Sequence, residues 1–209
     1  MSNKKQQGKL FVFAAPSGAG KTTLVNALVT KHQEELRFSI SYTTREPRVN
    51  EANGVDYLFV KKNEFMRLRD NGEMLEHAQV FDNFYATSRS QVEKHLADNH
   101  SVILEIDWQG AQQVRESMPD CVTIFIFPPS LAELERRLRD RGTDSAAVID
   151  RRLQDSRSDM AHWDEFDHVI VNDDLDQAII DLEAVLDGDG DASATSNPEL
   201  RRAVGRIID

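Results

Sequence analysis

Residues Ala15-Pro16-Ser17-Gly18-Ala19-Gly20-Lys21-Thr22 combine the types and order that bind a phosphate chain. Glycines allow a loop to turn tightly enough for its N–H groups to converge on phosphate oxygens at a helix N-terminus. Lys21 adds a point charge suited to the β- and γ-phosphates of ATP, and the Thr22 hydroxyl can ligate magnesium. The pattern is that of a P-loop in which Ala15 replaces the first glycine. The competing reading is an ordinary strand-to-helix turn built from small residues. The flanking residues favour the phosphate loop: Leu10–Ala15 is a continuous apolar run, and Leu24, Val25, Leu28 and Val29 recur at helical spacing through about His32.

Two carboxylates form a second candidate. Glu105 and Asp107 are two residues apart at the end of the apolar run Val102–Ile106, so in extended chain they project to one side. Ligands of parallel sheets bind at strand C-termini, where such a carboxylate orients magnesium-bound water or the phosphate acceptor. The plainer alternative for Asp107 is a helix cap. A third group is cationic: Arg136, Arg137, Arg139, Arg141, Arg151, Arg152 and Arg157 crowd into the segment after Pro129. Either they form a solvated face paired with acids such as Asp140 and Asp155, or they supply the charge that phosphoryl transfer requires.

The elements that must hold these groups follow from hydropathy. Val102–Ile106, Val122–Phe127 and Val169–Val171 read as further buried strands alternating with helices, hence a parallel α/β sheet. From about Ser39 to Arg89 the rhythm changes. Short strands are expected at Ser39–Thr43, Tyr57–Val60 and Glu76–Val80, a helix near Glu64–Arg69 and a turn at Asp82-Asn83. Ser90 with Glu93, and Ser130 with Glu133, have capping-box spacing; the second opens a helix ending near Gly142, followed by another over roughly Ser145–His162. Beyond Leu186 the Asp-Gly-Asp-Gly-Asp run and Ser/Thr residues have linker composition, ending in a weakly amphipathic segment with Leu200, Val204 and Ile207 on one face.

The bulk properties narrow the function. A net charge of −11 argues against a nucleic-acid-coating surface, so bound phosphates must meet local cations. No apolar run approaches the roughly 20 residues of a membrane-spanning helix, and Leu10–Ala15 is too short for a secretory signal core. The single Cys121 cannot form an internal disulfide, which suits a cytoplasmic location. The Asp187–Asp191 run fails as a calcium loop, because Pro198 stands where a bidentate Glu is needed and Ala192 where Gly is needed. The histidines lack zinc-type spacing.

Several further stretches resemble the guanylate kinase family, in order and in register from about Leu10 to Leu186. They are Ser41-Tyr42-Thr43-Thr44-Arg45-Glu46-Pro47-Arg48, Gly54-Val55-Asp56-Tyr57, Leu75-Glu76-His77-Ala78, Tyr85-Ala86-Thr87-Ser88, Glu105-Ile106-Asp107-Trp108-Gln109-Gly110 and Val171-Asn172-Asp173-Asp174. The resemblance implies transfer of the ATP γ-phosphate to GMP, and to dGMP, in purine nucleotide metabolism and GMP recycling. It implies that Arg45, Arg48, Tyr57 and Tyr85 hold the GMP phosphate, that Glu76 faces guanine with Ser41 and Thr87 near its carbonyl, and that Glu105 and Asp107 belong to the GMP side. It also implies that Arg137, Arg141 and Arg152 are the lid contacts and that Asn172 lies on the adenine side. The chemistry agrees at Glu76, since guanine presents N1–H and a 2-amino group side by side for one carboxylate and adenine does not.

Glu105 and Ala86 depart from the family's usual Asp and Gly, and Asn50 replaces a turn glycine. The implied fold is a parallel-sheet P-loop kinase core (9–38, 90–129 and 163–186), an inserted α+β lobe for the nucleoside monophosphate (39–89) and a helical lid (130–162). Residues 1–8 are expected to be a disordered tail, and 187–209 a linker and tail. The expected partners are small-molecule substrates with magnesium, and neither nucleic acid nor membrane; homo-oligomerisation is left open. Two rivals are disfavoured. Sugar-phosphate kinases of this scaffold need no guanine-reading carboxylate, and non-catalytic phosphopeptide-binding relatives typically lose the P-loop lysine, whereas Lys21 is present. A GTPase lacks support because there is no Asn-Lys-x-Asp motif.

Overall fold

The structure is a computed structural model that describes residues 8–80, 82–140 and 146–208. The chain divides into two compact units, one built from residues up to Phe11 with His32–Cys121, the other from Val12–Lys31 with Val122 onward.

Strand β1 (Leu10–Ala14) is buried at every position, as the uninterrupted apolar run requires for a strand covered on both faces. In the first unit β2 (Leu36–Phe38) pairs in parallel with β7 (Ser101–Glu105), and the Val102 amide donates to the Lys9 carbonyl. In the second unit β8 (Val122–Phe127) pairs in parallel with β9 (His168–Val171). The strand order of this five-stranded sheet is β2-β7-β1-β8-β9. β2 was not foreseen, because three residues with one buried side chain leave no periodic signal.

The inserted lobe is a second sheet, ordered β4-β3-β6-β5. Its strands are β3 (Tyr42–Thr43), β4 (Leu58–Phe59), β5 (Met74–Val80) and β6 (Asn83–Ser88). β5 and β6 form an antiparallel hairpin closed by the Val80–Asn83 pair, which agrees with the expected turn at Asp82-Asn83. Helix α2 (Lys62–Asp70) buries Phe65 and Leu68 against Met74 and Ala86, giving the lobe its own small core.

Helix α3 (Arg89–Ala97) corrects one expectation. Its N-cap is Ser88, which accepts from the Gln91 amide, and not Ser90, which is exposed. β6 runs directly into the helix, so the first hydroxyl after the strand takes the capping position. Asp107 caps α4 (Trp108–Ser117) by accepting from the Gly110 amide at 2.7 Å. In the second unit α1 spans Lys21–Lys31, α5 Leu131–Asp140, α6 Ala146–Met160 and α7 Leu175–Asp187. Ser130 accepts from the Glu133 amide, as the capping pattern predicted. The expected helix boundaries at Gly142 and Ser145 lie outside the described residues.

The segment after Leu186 is folded, unlike a linker. Gly188 closes α7 in a left-handed conformation, a 3-10 turn covers Gly190–Ser193, Ala194 bridges His168, and α8 (Pro198–Ile208) buries Val204 completely. Arg201 places its guanidinium 4.9 Å above the Trp163 ring. At Gly190 a Cβ would lie 2.8 Å from Val185 Cγ2, so this glycine serves close packing and not flexibility.

Candidate active site

Within the second unit, the Gly18 and Gly20 backbones have φ of +95° and +92°, a region open to glycine and strained for other residues. These two reversals carry the chain from β1 through Ala15–Gly20 into α1, whose first residues are Lys21 and Thr22. The loop therefore ends at the positive end of an 11-residue helix, the place where anionic oxygens are stabilised.

The loop is fastened from two sides. The Asn172 side-chain amide, itself buried, donates to the Ala19 carbonyl at 2.8 Å. Arg137 donates from Nη2 to the Asn172 carbonyl at 3.0 Å and from Nη1 to the Ala19 carbonyl at 3.4 Å. Gly18, Gly20, Thr23, Arg137, Asn172, Asp173 and Leu175 line a cleft of about 310 Å³. Gly20→Ala is expected to fail here on two counts. The added Cβ would lie 2.3 Å from Asn172 Nδ2, and the φ of +92° disfavours a side chain by roughly 1–2 kcal/mol. A lowered melting temperature with a KM for ATP raised at least about tenfold is the expected result of melting and titration.

The arginine cluster separates into two populations. Arg136 bridges the half-buried Glu133 and the exposed Asp140, and Arg139 bridges Glu135; both guanidinium groups face water, as in solvated helix pairs. Arg137 instead turns toward the loop while its Nε is held by Glu133 at 2.8 Å. Hydrogen bonds from Arg136 and then Arg137 hold the Glu133 carboxyl down at about 2. Arg152 is half-buried on α6, and Arg141 lies outside the described residues.

Within the first unit, sheet register brings together a second group of candidate residues. Glu76 on β5 is paired with Thr87 on β6, and cross-strand partners share a face. The Thr87 hydroxyl donates to Glu76 Oε1 at 2.7 Å, and Glu76 is only 4 % exposed. Burial, followed by the nearby Asp107 charge, pushes the Glu76 carboxyl up to about 7, against the pull of the Thr87 hydrogen bond. Gly110 makes room for this carboxylate: a Cβ there would meet Glu76 Oε2 at 3.0 Å and Asp107 Oδ1 at 3.2 Å. The motif containing Gly110 was visible in the sequence, but this packing role was not.

Arg45 follows β3, where its amide donates to Thr43 Oγ1. Its guanidinium donates to the Glu46 carbonyl at 2.9 Å and to Glu51 Oε1 at 2.8 Å, and lies 5.4 Å over the Tyr57 ring. The Tyr57 and Tyr85 rings meet edge-on at 6.0 Å, and burial raises the Tyr57 hydroxyl above its ordinary range. Arg45, Tyr57 and Tyr85 are thus brought together, while the Arg48 residue is exposed. Ser41 is half-buried, with its carbonyl accepting from the Leu58 amide; Glu105 ends β7. Glu51 was missed as a site residue. Its only sequence signal is one acid within a loop otherwise read for its cations.

A mainly parallel α/β sheet whose first strand enters a glycine turn and a lysine-headed helix defines a P-loop kinase. The guanylate kinase family description matches residues 7–189. Two similar relatives are guanylate kinases. That of Alkalilimnicola ehrlichii is 54% identical over 178 residues, covering 85% of this chain and 87% of its own. That of Aromatoleum aromaticum is 55% identical over 179 residues, covering 86% and 87%. The crystal structure of guanylate kinase from Anaplasma phagocytophilum superimposes with a TM-score of 0.68 at 34% identity, covering 95% of this chain and 94% of that one. The chain belongs to the guanylate kinase family.

Proposed function

We propose that this protein transfers the γ-phosphate of ATP to GMP, and to dGMP, giving ADP and the corresponding diphosphate. The observation that carries this reading is the buried Glu76 carboxylate beside Thr87, in a chain that also holds a P-loop lysine. A lone buried carboxylate is costly unless it gains partners. Guanine supplies two adjacent N–H donors for it, and the Thr87 hydroxyl completes its hydrogen bonding. Adenine offers no such pair, so its entry leaves buried groups unpaired, at about 1–3 kcal/mol each.

Each residue then has a task. Arg45, supported by Tyr57 and Tyr85, holds the acceptor phosphate, and Arg48 swings its exposed side chain onto the same group. Ser41 addresses the guanine carbonyl, and Thr87 stands near it with its proton given to Glu76. Glu105 and Asp107 complete the acceptor side, with Asp107 also capping α4. The loop Ala15–Thr22 wraps the donor phosphates. Lys21, Arg137, Arg141 and Arg152 offset the charge on the transferring group. Asn172 keeps the Ala19 carbonyl tied back beneath the donor nucleotide.

Magnesium fits this donor set as an ion carried by the nucleotide. Thr22 in the first turn of α1 offers one hydroxyl, and the described residues contain no group of three acidic, histidine or cysteine side chains able to cage a metal. Held there through the Thr22 hydroxyl, the ion would offset negative charge on the donor phosphates. Among the described residues no helix is long and apolar enough to cross a membrane. The proposed location follows from the substrates: the cytoplasm, which holds the ATP and GMP pools.

Transfer is direct and in line, without a phosphoenzyme. Incubation with γ-labelled ATP and GMP is expected to place label in GDP and none in protein. Label retained on the chain after denaturation would contradict it.

A further inference from the structure

We infer that Glu51 is a positioning residue for the acceptor phosphate: its carboxylate stays in place during turnover and holds Arg45 and the Arg48 turn in their phosphate-binding arrangement. The inference rests on the assignment of Arg45 to the GMP phosphate.

The contacts are specific and divided between the two carboxylate oxygens. Oε1 accepts from Arg45 Nη2 at 2.8 Å, and Oε2 accepts from the Arg48 backbone amide at 2.8 Å. The Glu51 amide in turn donates to the Arg48 carbonyl at 3.0 Å, so the two residues are locked to each other twice. Neither side chain of the ion pair is widely open to water, at 18% for Arg45 and 16% for Glu51. Arg45 and then the Arg48 amide hold the Glu51 carboxyl below the usual carboxylate range. The guanidinium is further fixed by the Glu46 carbonyl and the Tyr57 ring.

A carboxylate on a phosphate-binding arginine has two conceivable roles. It can compete with the phosphate and leave when the ligand arrives, or it can remain behind the arginine. The geometry favours the second. Departure of Glu51 would break the Arg48 contact as well as the Arg45 pair, and so unfasten the loop that carries both arginines. Guanidinium has five N–H donors in a planar fork, so a protein acceptor can hold one edge while another faces phosphate. An arginine already ordered spends less of the binding energy on immobilisation. Glu51 never touches the substrate in this account; it acts through Arg45 and the turn.

The test compares Glu51→Ala, Arg45→Ala and the double variant with the parent enzyme. The readouts are KM for GMP, KM for ATP and the competitive inhibition constant of guanosine, which has the base but no phosphate. Glu51→Ala is expected to raise the GMP KM at least about tenfold, with kcat lowered less than KM is raised. Guanosine inhibition and the ATP KM should stay within about twofold of the parent, and Glu51→Ala should cost less in the Arg45→Ala background than alone, the remainder passing through the Arg48 turn. Glu51→Gln, which keeps one acceptor oxygen but faces the second donor with an amide, should fall between. A lower GMP KM in Glu51→Ala would show competition and overturn the inference. So would equal weakening of guanosine, which marks general damage to the lobe, or an unchanged GMP KM where Arg45→Ala raises it. If Arg45→Ala itself leaves GMP unaffected, the acceptor-phosphate assignment falls and the inference falls with it.

Discussion

Replacing Lys21 by alanine is expected to lower kcat for phosphoryl transfer by at least about a thousand-fold while the protein stays folded. Lys21 is the first residue of α1, immediately after the +92° turn at Gly20, and it is not part of the fully buried core. The loop geometry depends on the glycines and on the Asn172 and Arg137 bonds to Ala19, none of which involves the lysine side chain. Alanine also suits a helix start without strain. The charge it removes sits where negative charge spreads over the γ-phosphoryl oxygens in transfer, so the loss belongs to the transition state and appears in kcat. Thermal melting beside steady-state kinetics checks both halves. Near-normal turnover in a folded variant would remove this loop from the mechanism.

Glu76→Gln is expected to weaken use of GMP and at the same time stabilise the ligand-free protein at high pH. The amide turns one acceptor into a donor that opposes a guanine N–H, so kcat/KM for GMP should fall by roughly a hundred-fold or more. The stability effect follows from burial. The Glu76 carboxyl is raised from 4.5 to about 7, so the folded state holds a proton that the unfolded chain releases. Its favourable contribution is fully present below 4.5 and is lost as pH rises through about 7. The gap corresponds to roughly 3 kcal/mol, carried as a penalty above that range.

Glutamine has no such charge to desolvate and can still accept from Thr87. Its melting temperature should therefore match the parent near the acid end and exceed it at pH 8. Parallel melts across pH test this, and an equal or lower melting temperature at pH 8 would contradict the burial argument. In the parent, GMP binding requires the ionised carboxylate, so its KM for GMP should rise as pH falls below about 7.

The parts of the fold that could be read from sequence were those with a strong local signal. β1 is an unbroken apolar run, and β8, interrupted only by Thr123, coincides with the expected Val122–Phe127. The glycine turn announced itself by composition, and Ser130 by its capping spacing. β2 and the full length of β6 were not legible. A three-residue strand and one carrying Tyr85, Thr87 and Ser88 in sequence give no clean alternation, and both depend on partners distant in the chain. The Asp-Gly run after Leu186 misled because composition does not distinguish a glycine that is flexible from one pressed against Val185.

The site shows the same division. Arg45, Tyr85, Glu76 and Thr87 were named from ordered motifs, and strand pairing then brings Glu76 to Thr87. Composition and spacing did not distinguish Arg137 from Arg136 and Arg139; the family resemblance did, and the packed helix shows that Arg137 reaches Ala19 while its neighbours pair with acids. Glu51 and the packing role of Gly110 escaped notice because their work is done on other residues: one holds an arginine, the other yields space to a carboxylate.

The most direct test is ADP formation by the purified protein with magnesium-ATP and, separately, GMP, dGMP, AMP, CMP, UMP and TMP. Strong turnover confined to GMP and dGMP is the predicted result and would join the P-loop to the guanine-reading carboxylate in one reaction. Comparable turnover with AMP, or ATP binding without transfer to any of the six, would contradict it.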